Sequence, residues 1–141
     1  MEPDLHRESR PLTQLERRLL DSLLALDFPG VEALRLQADT VLAFSSCPCG
    51  CGSIGFEHLN GLRPGPSGVT VPLNPIVHNG NGDDVGGLIL FLSDGLLQDL
   101  EVYSFGTEPL PLPEVEFVRF MPFWRPGSAV PGWQPPPVIF R

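Results

Sequence analysis

The sequence predicts an α+β fold, with two amino-terminal helices packed on one antiparallel sheet of about five or six strands. Apolar residues recur at helical spacing before Asp39 and alternate with polar residues after Thr40. The dipeptide Asp94-Gly95 separates two apolar runs, which favours a hairpin. Helices grouped ahead of the strands, rather than alternating with them, are typical of an antiparallel sheet.

The first helix is predicted to begin at a capping box formed by Thr13 and Glu16, whose side chains can satisfy the first free backbone amides. An apolar stripe follows at helical spacing and consists of Leu15, Leu19, Leu23 and Leu26. The stretch Asp27-Phe28-Pro29-Gly30 ends this helix after Leu26, because proline cannot continue the hydrogen-bond ladder. A second, short helix is predicted over Val31–Ala38.

Strands are predicted over residues 41–45, 54–59, 69–73, 87–92, 97–105 and 115–120. Residues 87–92 are apolar on both faces, as in a central strand. Pro72 lacks an amide donor, so the strand that contains it is expected at an edge. Residues 79–87 are polar and rich in glycine and are predicted to form a loop. A turn at Gly95 should have a positive φ, which glycine adopts without strain.

The chain divides into a flexible amino terminus over residues 1–10, a single α+β domain over 11–121, and a proline-rich tail over 122–141. The chain has 17 prolines, and those of the tail favour an extended or polyproline II conformation. Four apolar residues of this tail are expected to pin it to the domain: Trp124, Trp133, Ile139 and Phe140.

The composition is acidic, with a formal net charge of -8. This charge disfavours nucleic acid and an anionic membrane surface as partners, because both require clustered cations. It suits a basic protein partner. The charged amino terminus lacks the apolar region of a secretory signal, and the longest apolar run, 88–92, is too short to span a bilayer. We therefore expect a cytoplasmic protein.

Three cysteines, Cys47, Cys49 and Cys51, form the most unusual cluster. Cys47 and Cys51 have a spacing suited to zinc, with further ligands available from His58 or His78. The Cys49-Gly50-Cys51 sequence also allows thiol–disulfide exchange, provided that a thiol pKa is lowered. A third interpretation is a hairpin turn with inert thiols, which we favour because both histidines are isolated in the sequence.

Asp99, Glu101 and Tyr103 are predicted to share one face of the strand over 97–105, with Leu97 and Phe105 at its ends. Two carboxylates at this spacing can perform acid–base chemistry where one is desolvated. The interpretation that we favour is a polar, solvent-facing stripe that can hold a basic partner. Glu114 and Glu116 repeat the pattern in the last predicted strand.

Three stretches together resemble a group of small proteins from high-GC actinobacteria that have no assigned function. They are residues 24–34, the Cys-Gly-Cys-Gly-Ser of residues 49–53, and the Leu-Glu-Val-Tyr-Ser-Phe of residues 100–105. The resemblance runs from about Leu12 to Phe120 and implies one intact domain. It implies no activity and does not include the proline-rich tail.

These observations favour a non-enzymatic protein-binding module, of the type of an immunity protein or antitoxin that holds a basic protein. Small size, acidity and the lack of a recognisable catalytic set support this hypothesis. The alternative is a zinc-binding or thiol-redox module at 47–51. A hydrolase with a triad dispersed in the sequence is the least favoured class.

Overall fold

A computed structural model describes residues 8–45, 52–58, 64–66, 68, 70–71 and 73–120. The described elements are α1 (Gln14–Leu23), α2 (Val31–Ala38), β1 (Leu42–Ser45), β2 (Ile54–Glu57), β3 (Ile76–His78), β4 (Asp84–Ser93), β5 (Leu96–Ser104), a 3-10 helix (Val115–Phe117) and β6 (Val118–Arg119). They confirm the predicted α+β class. Neither described helix combines the length and apolar composition that crossing a membrane requires.

All strand pairs of the six-stranded sheet are antiparallel, in the order β1-β2-β5-β4-β3-β6. The long strand β4 lies between β5 and β3, which confirms 87–92 as part of a central strand. The sheet continues at its β1 edge, where the backbone of Arg10 exchanges two hydrogen bonds with Ala43.

The core lies between the helices and one face of the sheet, which we call the inner face. The helices contribute buried leucines, and the strands contribute alternate residues from β1 to β6. These buried residues are Leu19, Leu20, Leu23, Leu34, Ala43, Ile54, Phe56, Val77, Leu88, Leu90, Leu100, Val102 and Val118. Burial of the apolar stripe of the helices against the inner face of the sheet holds the helices on the sheet.

The capping box is confirmed. The Thr13 hydroxyl accepts a hydrogen bond from the Glu16 amide, and the Glu16 carboxylate accepts one from the Thr13 amide. Helix α1 ends earlier than predicted, at Leu23 rather than Leu26. Arg35 of α2 donates to the carbonyl oxygen of Leu24 at 2.6 Å. This side chain therefore satisfies a carbonyl that a longer helix would have bonded internally.

Three strand predictions need correction. β3 lies between two predicted elements and was missed, and β4 begins at Asp84 inside the predicted loop. The segment over 115–120 begins as a 3-10 helix, so Glu114 and Glu116 do not alternate along a strand. Of the predicted edge strand over 69–73, Thr70 forms an isolated bridge to Phe91. Residues 69 and 72 lie outside the described residues.

Replacing Glu16 with glutamine should destabilise the protein by about 1–2 kcal/mol at pH 7, because glutamine can still cap the helix but cannot form the charged pair with Arg10. Arg10 donates two hydrogen bonds to this carboxylate, and they lower its pKa, with help from the Thr13 amide. A lowered pKa in the folded state stabilises the fold above the unfolded pKa, and this contribution is lost as pH falls through the folded pKa.

The difference in urea midpoint between the wild type and Glu16→Gln should therefore narrow steadily in acid. A difference that stays constant down to pH 2 would show that the ionised carboxylate contributes nothing.

Candidate functional site

The second face of the sheet, which we call the outer face, points away from the core. On β5 it carries Asp99, Glu101 and Tyr103, and their cross-strand partners on β4 are Phe91, Ile89 and Gly87. Antiparallel partners share a face, so the register extends the surface to the neighbouring strands. We define the outer face by Phe44, Gly55, Ile76, Gly87, Ile89, Phe91, Asp99, Glu101 and Tyr103.

The prediction that Asp99, Glu101 and Tyr103 share one face is confirmed, but Leu97 does not join them. The pairing of β4 with β5 shifts register between Leu97 and Asp99, so that Gln98 is an extra residue. Such a bulge reverses the alternation of side chains. Leu97 is consequently buried in the core rather than placed beside the carboxylates.

Two glycines of the outer face lie beneath aromatic rings. A Cβ atom at Gly87 would overlap the ring of Tyr103, and one at Gly55 would overlap the ring of Phe44. The rings therefore lie flat across neighbouring strands instead of standing away from the sheet. Phe105, which is 55% exposed, continues the aromatic surface beyond the end of β5, with its ring centroid 5.9 Å from that of Tyr103.

The two carboxylates of the outer face have no ion-pair partner among the described residues, whereas four described arginines are paired elsewhere. These pairs are Arg10 with Glu16, Arg17 with Asp21, Arg35 with Asp27, and Arg119 with Asp84. Partial burial raises the pKa of the Asp99 carboxyl. A cation placed beside Asp99 would offset this desolvation, because opposite charge favours the ionised form.

The two candidate histidines lie far apart. His58 follows β2, and its Nε2 lies 2.6 Å from the carbonyl oxygen of Leu97, which is paired with Leu92 at one end of β4. His78 is paired with Asp84 at the other end of β4. The separation along β4 is about 27 Å at a rise of about 3.4 Å per residue. One ion therefore cannot bind both rings.

Each histidine is held by local contacts. Because a carbonyl oxygen accepts the hydrogen bond of His58, its Nε2 carries the proton. The Nδ1 atom of His58 is buried and has no hydrogen-bond partner in the described part of the chain. The Nδ1 atom of His78 lies 3.2 Å from the carbonyl oxygen of Asn79, and its ring packs edge-on against Phe117.

The cysteine cluster, Cys47, Cys49 and Cys51, lies outside the described residues. Within the described ranges, no group of three or more histidine, cysteine, aspartate or glutamate residues is placed to hold a metal ion. The three thiols lie outside those ranges, so zinc binding or redox chemistry at the cluster stays a prediction.

A surface groove of about 230 Å³ lies between the end of β3 and the segment that leads into the 3-10 helix. Its walls include Val77, Leu110 and Pro111, and the one titratable side chain among its lining residues is His78. An apolar groove with a single histidine does not supply a catalytic pair. The outer face, with two adjacent carboxylates among aromatic rings, is the stronger candidate site.

The sequence signal for the outer face was the alternation of Asp99, Glu101 and Tyr103 along β5. The aromatic neighbours Phe44 and Phe91 were missed, because only cross-strand register places them beside the carboxylates.

A scan against protein-family models, a search of curated proteins and a search of solved structures found no match for this chain. The resemblance to actinobacterial proteins stays a prediction, and the geometry of the outer face carries the functional argument alone.

Proposed function

We propose that this protein is a non-enzymatic protein-binding module whose outer face holds a basic segment of a partner protein. The observation that carries the proposal is the pair Asp99 and Glu101, which lack a cationic partner in the described part of the chain while four arginines are paired elsewhere. A partner that supplied the missing cations would relieve the repulsion between two like charges.

The surroundings of the two carboxylates support binding of a protein. Tyr103, Phe91 and Phe105 surround them with aromatic area, and aromatic side chains are enriched at protein interfaces. The carboxylates also lie on β5, which is paired on both sides by β2 and β4. A surface on an interior strand is preorganised, so binding costs little conformational entropy.

The spacing of the carboxylates indicates the shape of the partner. Alternate residues of a strand are about 6.8 Å apart, so Asp99 and Glu101 match two basic residues at the same spacing in an extended segment. We therefore propose a recognition sequence in which two arginines or lysines are separated by one residue. This chemistry agrees with an immunity- or antitoxin-like role toward a basic protein.

A random peptide library displayed against the immobilised full chain tests this proposal. We expect enrichment of peptides with two basic residues separated by one residue. The variant Asp99→Asn/Glu101→Gln should weaken binding of the enriched peptides by about tenfold or more, the effect of losing about 1.4 kcal/mol. Binding should also weaken as salt rises, because exposed charges are screened.

The matched control is Asp39→Asn/Glu114→Gln, which removes the same charge from exposed positions outside the sheet. This variant should bind the enriched peptides as the wild type does. Two results would contradict binding at the outer face. One is enrichment of peptides that have no excess of basic residues, and the other is an equal loss of peptide affinity in both double variants.

A further inference from the structure

The segment 121–141, which follows the described domain, has a composition that complements the outer face. It contains Arg125 and Arg141 and no acidic residue, although the whole chain has a formal net charge of -8. It also contains both tryptophans of the protein, Trp124 and Trp133. The segment is thus basic and aromatic, which complements the acidic and aromatic outer face, although its two arginines are 16 residues apart rather than separated by one residue.

The chain leaves the sheet at a point from which this segment can reach the outer face. Arg119 is paired with Ile76 across β6 and β3, and Ile76 is paired in turn with Gly87 of β4. Arg119 therefore lies on the outer side, two strand positions from β4 and three from β5, which carries Asp99 and Glu101. Described residues end one position later, at Phe120.

The length of the segment is sufficient. The three strand spacings from β6 to β5 are about 14 Å, and the distance along β4 from Gly87 to Phe91 is about 14 Å. A proline-rich chain extends by about 3.1 Å per residue, so from Arg119 the chain can carry Trp124 about 15 Å, Arg125 about 19 Å and Trp133 about 43 Å. The first tryptophan can contact β4, and the second can contact any strand of the sheet.

We propose that residues 121–141 dock on the outer face of their own domain and act there as an intramolecular ligand. Trp124 and Trp133 pack against the aromatic surface around Phe91 and Tyr103, and Arg125 lies near Asp99 and Glu101. Both described helices pack on the inner face of the sheet. The segment covers apolar area on the outer face, which these helices do not contact. Its role as a competitor of the basic partner rests on the function proposed above.

Intrinsic fluorescence of the full chain tests the docking directly. Tyr103 is the only tyrosine and lies on the outer face, while both tryptophans lie in the segment. We expect tryptophan emission at shorter wavelength than that of a free peptide of residues 121–141. We also expect loss of most Tyr103 emission through energy transfer, with recovery when Asp99→Asn/Glu101→Gln releases the segment.

The control variant Asp39→Asn/Glu114→Gln should leave both signals unchanged, and Tyr103→Phe should abolish the tyrosine signal. Tryptophan emission equal to that of the free peptide would overturn the proposal. Energy transfer that rises with protein concentration would assign the segment to a second copy of the chain, and would also overturn it. Equal transfer in the two double variants would overturn the contact with Asp99 and Glu101.

These results separate the inference from the proposed function. Docking is measured with the protein alone, whereas partner binding is measured by peptide display. Docking with no peptide enriched, even against the variant Trp124→Ala/Trp133→Ala that releases the segment, would contradict the partner-binding function and leave the intramolecular contact standing. Enrichment of basic peptides without docking would support the partner-binding function and overturn the intramolecular contact. If both hold, the free peptide 121–141 should compete with the enriched peptides.

Discussion

Replacing Gly95 with valine is expected to destabilise the protein by about 3–5 kcal/mol, the sum of backbone strain and overpacking. Gly95 has a φ of +79°, which a β-branched residue adopts only with strain. A Cβ atom there would lie 2.8 Å from the carbonyl oxygen of Gly65 and 2.9 Å from the Pro64 Cβ atom. Gly65 also donates its amide to the Gly95 carbonyl oxygen at 2.6 Å.

Two other glycines separate these contributions. Gly82 has a φ of +87° with no atom near its missing Cβ, and Gly80 has open space and no such φ. In urea denaturation we expect Gly95→Val to cost most, Gly82→Val to cost about 1–2 kcal/mol through strain alone, and Gly80→Val to cost least. If Gly95→Val and Gly82→Val cost the same, contact with Gly65 and Pro64 plays no part.

Replacing Gln37 with methionine is expected to cost about 2–4 kcal/mol, because the buried Leu97 amide loses its acceptor and the Gly95 carbonyl oxygen keeps only the Gly65 amide of its two donors. Gln37 of α2 is 1% exposed. Its Nε2 donates to the carbonyl oxygen of Gly95, and its Oε1 accepts from the amide of Leu97, each at 2.9 Å. The Gln37 side chain thus joins helix α2 to the turn between β4 and β5. Methionine keeps the volume and removes the hydrogen bonds.

Hydrogen exchange provides a local readout for Gln37→Met. The amide of Leu97 should lose protection by more than the global change in stability, because its acceptor is gone. Leu36→Met, at a 63% exposed position of the same helix, should change neither protection nor stability. Unaltered exchange at Leu97 in Gln37→Met would show that water or another group replaces the glutamine oxygen.

Features that depend on near neighbours in the chain were predictable. The capping box of α1, the bounds of α2 and the Asp94-Gly95 turn each follow from the chemistry of a few adjacent residues. The alternation that places Asp99, Glu101 and Tyr103 on one face is local as well. Steric and hydrogen-bonding preferences over such short spans act in any surrounding fold.

Features that depend on partners distant in the chain were not predictable. β3 has three residues and is a strand because β4 and β6 pair with it on both sides. The bulge at Gln98 exists only relative to β4, and it alone moves Leu97 from the outer face to the core. Neither feature has a signature in the residues themselves, since ladder hydrogen bonds form between strands.

The arrangement of the candidate site also depends partly on near neighbours in the chain and partly on distant ones. Alternation along β5 determined which of its side chains stand together, because the side-chain period of a strand is two. Strand register decided what surrounds them: Phe91 and Phe44 join the carboxylates, while His58 and His78 lie at opposite ends of β4. Periodicity is a property of one strand, whereas register is set by which strands pair and by the core that their inner faces must bury together.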